Sequence, residues 1–253
     1  MLAERLESPT TPLGIYLEEA SIYRPIATGD IFRGVKVPGA DEDESSHDLT
    51  MVIAHPSAMR KGAALEDRVR AAPVAPVVGL SLSRWANGYY NVFPLPRLSD
   101  VAKSNGFDTP PRSWGALLAV AAAVRTSDLD VTQRVACLSP EGIKLLLQRV
   151  VHADTRVAVR PDTIASVFRP KLEEIELLES WTEAVVPPML ASGTDRASAL
   201  ISAASSFEEF LVGTSVDEQG TTRRHLIDDP TSMSRVRRAV MTEILRVTRE
   251  RPR

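Results

Sequence analysis

A histidine, a serine and an arginine lie close together directly after an apolar run. The stretch is LTMVIAHPSAMR, in which His55, Ser57 and Arg60 follow the apolar residues 49 to 54. Histidine, with an ordinary pKa of about 6.5, can act as a general acid or base near neutral pH. The planar guanidinium of arginine can form two parallel hydrogen bonds to a phosphate. With Arg68, which opens the next apolar stretch, these residues are our candidates for catalysis.

Further basic residues follow the apolar run, and one more lies later in the chain. The residues predicted to bind the phosphates of a nucleic acid are Arg60, Lys61, Arg68, Arg70 and Arg149. The alternative is that Ser57 or His55 ties off the backbone of the loop and that the arginines are solvated. Residues at strand ends are held on a rigid base, which suits either role.

The sequence lacks the usual signatures of several enzyme classes. It contains no GxxxxGK[ST], no GxGxxG, no HExxH, no GxSxG and no CxxC pair, so it gives no sign of phosphate-loop, dinucleotide or zinc chemistry. It has four histidines and one cysteine, Cys137, too few for a typical structural metal site. We therefore predict neither a metal nor a cofactor.

Composition sets limits on partners and compartment. The net charge of −3 provides no global field toward nucleic acid or an anionic membrane, so any such binding must be local. Aromatic residues make up 5% of the chain, which leaves few surfaces for base stacking. A single cysteine favours a reducing compartment, and no run approaches the length of a membrane span. We expect a cytoplasmic protein that does not contact the membrane.

The first part of the chain has the pattern of short strands joined by turns. We predict strands in GDIFRGVKVPG, LTMVIAH, RVRAAPVAPVVGLSL, YYNVF and QRVACLS. In SWGALLAVAAAV the alanines and leucines favour a helix, whereas the flanking turn signals favour a strand, and we adopt the strand. The two prolines of the third stretch predict a bulge or an edge strand. Asn87-Gly88 predicts a tight hairpin turn. These features indicate a small antiparallel sheet or barrel.

The later part of the chain has helical periodicity. Ser139-Pro140-Glu141 is a helix start, and amphipathic helices are predicted over 172–185, 196–212 and 232–249. The last of these carries many arginines and an apolar stripe, which fits either a nucleic-acid contact or a docked helix with a solvated basic face. We predict an α+β protein with a β-rich part over 1–160 and a helical part over 161–253.

The order of these elements resembles the PemK/MazF-like small barrels and their larger relatives in bacterial toxin-antitoxin and phage-defence systems. The resemblance covers about residues 28 to 155 and rests on GDIF, HPSAMR, DRVRAAPV and RVACLSPEG in that order. It implies an SH3-like barrel that dimerises and, in its toxin members, cleaves single-stranded RNA without a metal. The chain departs from the family in its length and in the acidic loop ADEDESSHD.

Three functions follow as hypotheses. The first is binding of a nucleic-acid phosphate backbone, with RNA and DNA both open. The second is a metal-independent endoribonuclease with Arg60 or Arg68 stabilising charge and His55 or Ser57 moving the proton. The third is a non-catalytic protein whose helices dimerise or dock on a larger partner. We also expect a homo-oligomer, and the acidic loop 41–48 is a candidate phosphate mimic.

Overall fold

The structure, a computed structural model, describes residues 5–19, 21–40, 48–213 and 220–249. The chain forms two compact units. The first comprises Met1–Ile22, Ile26–Met59 and Glu66–Val167, and the second comprises Tyr23–Pro25, Arg60–Leu65 and Phe168–Arg253. Residues 41–47, which make up most of the acidic loop named above, lie outside the described residues.

The elements are numbered in chain order. The strands are β1 (Ile31–Arg33), β2 (Leu49–Val52), β3 (Arg60–Lys61), β4 (Ala64–Leu65), β5 (Arg68–Pro76), β6 (Val92–Leu95), β7 (Trp114–Leu117), β8 (Ala122–Arg125) and β9 (Arg134–Ala136). The helices are α1 (Pro56–Met59), α2 (Leu98–Ser104), α3 (Pro140–Thr155), α4 (Pro161–Ala191), α5 (Arg196–Val212), α6 (Arg223–Ile227) and α7 (Met233–Arg249).

The predicted SH3-like barrel is wrong. The molecule is α+β, but the antiparallel sheet of the first unit stays open. Its strand order is β6-β7-β5-β2-β1-β9, with β8 also paired to β5, and within the described residues no ladder joins β6 to β9. Closing a sheet of this kind requires its two edge strands to pair.

The outer edge of β9 is occupied by groups from outside the sheet. The carbonyl of Val135 accepts a hydrogen bond from Asn105 Nδ2 at 2.9 Å, and the carbonyl of Cys137 accepts one from the Leu17 N–H at 3.0 Å. Both carbonyls point away from β1, because their neighbours Arg134 and Ala136 are the residues in register with β1. These hydrogen bonds occupy carbonyls on the side of β9 that would have to pair with β6 in a closed barrel.

Strand β5 is central, although its prolines predicted a bulge or an edge. It pairs with β2 along one side, while β8 and then β7 follow each other along the other side. Pro73 falls in the gap between the residues paired with β8 and those paired with β7. Pro76 lies beyond Val74, the last residue paired with β2. Each proline therefore stands where the ladder needs no N–H donor.

The start of α3 agrees with the sequence prediction. Ser139 Oγ accepts a hydrogen bond from the Gly142 N–H at 3.1 Å, and Pro140 occupies the first turn, where a missing N–H leaves no helical hydrogen bond unmade. The same hydroxyl donates to the carbonyl of Gly14 at 2.7 Å. The cap therefore also ties the N-terminal segment of the first unit to α3.

The predicted hairpin turn at Asn87-Gly88 is wrong. Neither residue has a positive φ, whereas Tyr89 does at 57°, and the strand that follows begins only at Val92. The segment is instead held by hydrogen bonds to a buried arginine of α3, described below.

The second unit is built around one apolar cluster. Its members include Trp181 of α4 and Phe207 of α5, whose ring centroids lie 5.7 Å apart, and Val236 and Val240 of α7. The predicted stripe of α7 is confirmed at Met233, Val236 and Val240, which are buried. The arginines of the same helix lie on its exposed side, which favours a docked helix with a solvated basic face.

A charged network anchors the β3–β4 hairpin within the second unit. Arg224 of α6 bonds both Glu174 of α4 and Glu208 of α5. Glu208 Oε2 also accepts the N–H of Ala63, in the hairpin, at 2.9 Å. Arg60 Nη1 donates to the carbonyl of Ala63 at 2.6 Å and thereby closes the hairpin on itself.

Candidate functional site

A cleft of about 520 Å³ opens in the first unit beside β5, α3 and the start of α4. Most of its lining is apolar, and the polar residues are Thr163 and four charged or titratable ones. The apolar side chains include Ile53, Val69, Leu147, Val150, Val151 and Ile164, and the charged or titratable ones are His55, Arg68, Arg70 and Asp154. A mainly apolar cleft with a few convergent polar groups is the usual form of a ligand site.

His55 is held by a local contact with Ser57. It comes directly before α1, and its carbonyl accepts the Ala58 N–H at 2.8 Å, so it caps this short helix. The hydroxyl of Ser57 lies 2.7 Å from His55 Nδ1, and the Ser57 N–H points at the same nitrogen at 3.3 Å. Nδ1 therefore acts as the acceptor, and the proton of a neutral ring lies on Nε2.

The environment of His55 favours the neutral ring. Partial burial lowers the pKa of His55 from its ordinary value. In the part of the chain that the structure describes, no carboxylate bonds its Nε2. The pair therefore has a hydroxyl and a neutral base in contact but lacks the third group that orients the base in a catalytic triad.

Three arginines lie on one face of the β5–β8 pair, and we call Arg68, Arg70 and Arg125 the arginine cluster. Arg68 is directly opposite Arg125 in the antiparallel register, and Arg70 is two residues along the same strand. Thr126 N donates to the Asp67 carbonyl next to them, which makes Arg68 and Arg125 a non-hydrogen-bonded pair. The Cα atoms of such a pair are only about 4.5 Å apart.

The three guanidinium groups differ in their partners. Arg70 forms a bidentate ion pair with Asp154 of α3, with Nη1 to Oδ2 at 2.6 Å and Nη2 to Oδ1 at 2.9 Å. The hydrogen bonds between them raise the pKa of Arg70 and lower the pKa of Asp154. Arg68 and Arg125 are exposed and form no ion pair with any described residue. Two unneutralised positive charges thus face each other across the strand pair.

Two of the other predicted residues do not line the cleft. Arg60 and Lys61 form β3, which belongs to the second unit, and neither lines the cleft. Of the predicted residues, His55, Arg68 and Arg70 line the cleft, and Ser57 does not line it but contacts His55. Sequence reasoning missed Asp154 and Arg125, because only the pairing of β5 with β8 and the packing of α3 bring them to the cluster.

Arg149 is not on the predicted phosphate-binding surface. Its residue is 1% exposed, and its guanidinium donates to the carbonyls of Trp85, Gly88 and Tyr89 at 2.7 to 2.8 Å. Burial lowers its pKa to about 10, so the group stays charged at neutral pH. Arg149 therefore has a structural role, which is to hold the loop before β6.

Comparison with known proteins identifies no family. No protein-family model matches the sequence, and no curated protein matches it either, so nothing identifies a PemK/MazF family. The described residues contain no group of three or more histidine, cysteine, aspartate or glutamate side chains that could hold a metal ion. None of the helices among them is long and apolar enough to cross a membrane.

Replacing Arg149 tests its structural role. Arg149→Met keeps the apolar volume but leaves three carbonyls without their charged donor, and we expect the free energy of unfolding to fall by about 3 kcal/mol or more. Urea denaturation followed by circular dichroism measures this change. Arg112→Met, at an exposed arginine of the same unit, is the control and should change stability by less than about 0.5 kcal/mol. A loss below about 1 kcal/mol in Arg149→Met would contradict the assignment.

Proposed function

We propose that the first unit binds the phosphate groups of a nucleic acid at the arginine cluster. The observation that carries this proposal is the direct opposition of Arg68 and Arg125, which no described carboxylate neutralises. Like charges directly opposite each other in a sheet are destabilising. A bound phosphate removes the repulsion, and the guanidinium fork matches its oxygens.

The sheet holds these arginines in fixed positions before a ligand binds. β8 pairs with β5 from Arg68 to Ala71, and on the other side the Arg70 carbonyl accepts the N–H of Ile53, so the backbone under Arg68 and Arg70 has little freedom. The side chains of Val69 and Ala71 are buried on the opposite face, which fixes the register. A preorganised cluster loses less entropy on binding than arginines on a mobile loop.

The resemblance to PemK/MazF-like proteins implies the same function, although the barrel it also implied is absent. The setting that we propose with it is a bacterial toxin-antitoxin or phage-defence system, in the cytoplasm. RNA and DNA are both candidate ligands.

A double variant that removes both positive charges tests the proposal. We expect Arg68→Gln/Arg125→Gln to weaken binding of labelled single-stranded RNA or duplex DNA, because it removes two phosphate contacts. Fluorescence anisotropy from about 50 to 200 mM salt should show a slope of log K against log salt that is smaller by about one to two. The matched control, Lys103→Gln/Arg112→Gln, removes the same charge from exposed sites of the same unit. The proposal would be contradicted if log K depended equally on log salt in the two variants, or if the wild-type protein bound no nucleic acid.

Asp154 should weaken anion binding, since its carboxylate neutralises Arg70. We expect Asp154→Asn to raise the affinity for nucleic acid by about three- to tenfold at low salt. Stability should change little, because the pair is exposed on both sides, with 38% and 44% of the side chains accessible. Asp108→Asn makes the same charge change at an exposed residue outside the cleft and is the control in the same titration. An affinity that falls in Asp154→Asn would show that Asp154 supports binding.

The contact between His55 and Ser57 favours a second function, a metal-independent endoribonuclease. In this reaction Ser57 accepts the proton of a 2′-hydroxyl while it gives its own to the neutral His55. The 2′-oxygen attacks the adjacent phosphorus, and the 5′-oxygen leaves with a proton from water. Arg68, which lines the same cleft, stabilises the added negative charge of the phosphorane.

RNA cleavage in excess EDTA tests the endoribonuclease. We expect His55→Ala and Ser57→Ala each to reduce the rate by about a hundredfold or more, the usual contribution of a positioned base. His152→Ala, outside the cleft, should keep the wild-type rate. Because the base must be unprotonated and burial lowers the pKa of His55, the rate should rise with pH and reach half its plateau below about pH 6.5. Cleavage that persists in both variants would exclude these residues from the mechanism.

A further inference from the structure

We infer that the arginine cluster recognises a terminal phosphate monoester of a nucleic acid in preference to an internal phosphodiester. This inference rests on the proposed function and names the part of the ligand that the site selects. It follows from the number, spacing and neutralisation of the three guanidinium groups.

Two arginines that face each other across the strand pair form no ion pair with any described residue. Asp154 neutralises Arg70 through a bidentate contact, which leaves Arg68 and Arg125. A phosphodiester carries one negative charge, whereas a phosphate monoester carries between about 1.5 and 2 at pH 7. A monoester therefore matches the two remaining guanidinium charges, while a diester leaves one of them unpaired.

The spacing of the two arginines favours one phosphate over two. Their Cα atoms form the closer kind of cross-strand pair, about 4.5 Å apart. From Cα atoms this close, both guanidinium groups can reach the oxygens of one phosphate. A monoester has three terminal oxygens to accept their N–H donors, and a diester has two.

The apolar cleft favours binding of the end of a nucleic-acid strand over binding of its middle. Arg68 lines the cleft, whose walls include Val151 and Val159. The terminal nucleoside attached to the phosphate can enter this cleft, because a chain end has a neighbour on one side only. The arrangement thus places a charged group at the rim and its attached nucleoside against apolar side chains.

Oligonucleotides that differ only at their ends test the inference. We expect the full-length protein to bind a strand with a 5′- or 3′-terminal phosphate about tenfold more tightly than the same strand with hydroxyl ends, at pH 7.5 and low salt. The preference should fall to less than about threefold near pH 5, where the monoester carries one charge, since its second pKa is about 6. His55, Arg70 and Asp154 face the same cleft, and protonation of His55 at low pH acts on both strands alike.

Variants separate this inference from the proposed function. In Arg68→Gln/Arg125→Gln the preference should disappear, and in Lys103→Gln/Arg112→Gln it should persist. Asp154→Asn should keep or increase it, because the freed positive charge of Arg70 attracts the more highly charged monoester more strongly than the diester. If both strands bind equally and the binding depends on Arg68 and Arg125, the proposed function stands and the inference is overturned. If neither strand binds, the proposed function itself fails.

Discussion

The two-sided hydrogen bonding of β5 is the constraint on which the candidate site depends. Ile53 N donates to the Arg70 carbonyl at 2.9 Å on the β2 side, and Thr126 N donates to the Asp67 carbonyl at 3.0 Å on the β8 side. Alternate residues of β5 therefore have fixed directions, with Val69 in the core and Arg68 outside it. A slip of one residue would bury two arginines and expose Val69, so the core itself holds the arginines at the surface.

Pro73 connects the local sequence of β5 to the position of Arg125. Since proline has no N–H, the ladder on the β7/β8 side is interrupted between Ala71 and Val74. The facing chain uses this gap for the 3-10 turn Leu118–Val120, which separates β7 from β8. The strand that resumes after this turn ends at Arg125, opposite Arg68. Pro73 predicted an edge strand, but in the central strand β5 it helps to bring Arg125 opposite Arg68.

The sequence predicts those features that depend on neighbouring residues. The buried strand β2, the Ser139 cap of α3 and the apolar stripe of α7 all follow from local pattern, and the structure has each of them. The grouping of His55, Ser57 and Arg68 could also be predicted, because the two strands that present them are adjacent.

Features that depend on distant pairing could not be predicted. The barrel prediction failed because an asparagine, Asn105, and an N-terminal residue, Leu17, occupy the edge of β9. The hairpin prediction failed because Arg149, sixty residues away, binds the carbonyls of that segment. Asp154 and Arg125 carry no local signal of their role, since an aspartate near a helix end and an arginine in a strand are both usual on surfaces.

The arginines of the first unit differ in what neutralises their charge, and this difference separates a structural role from the binding role that we propose. Arg149 is dehydrated and bound to main-chain carbonyls, so its contribution is to stability and depends little on salt. Arg70 is held by a carboxylate at the rim of the cleft. Arg68 and Arg125 are exposed and form no ion pair with any described residue, so under our proposal an incoming phosphate would meet two charges that have no partner in the protein. The binding that we propose at this pair would release counterions and so would depend on salt, which would distinguish it from the structural role of Arg149.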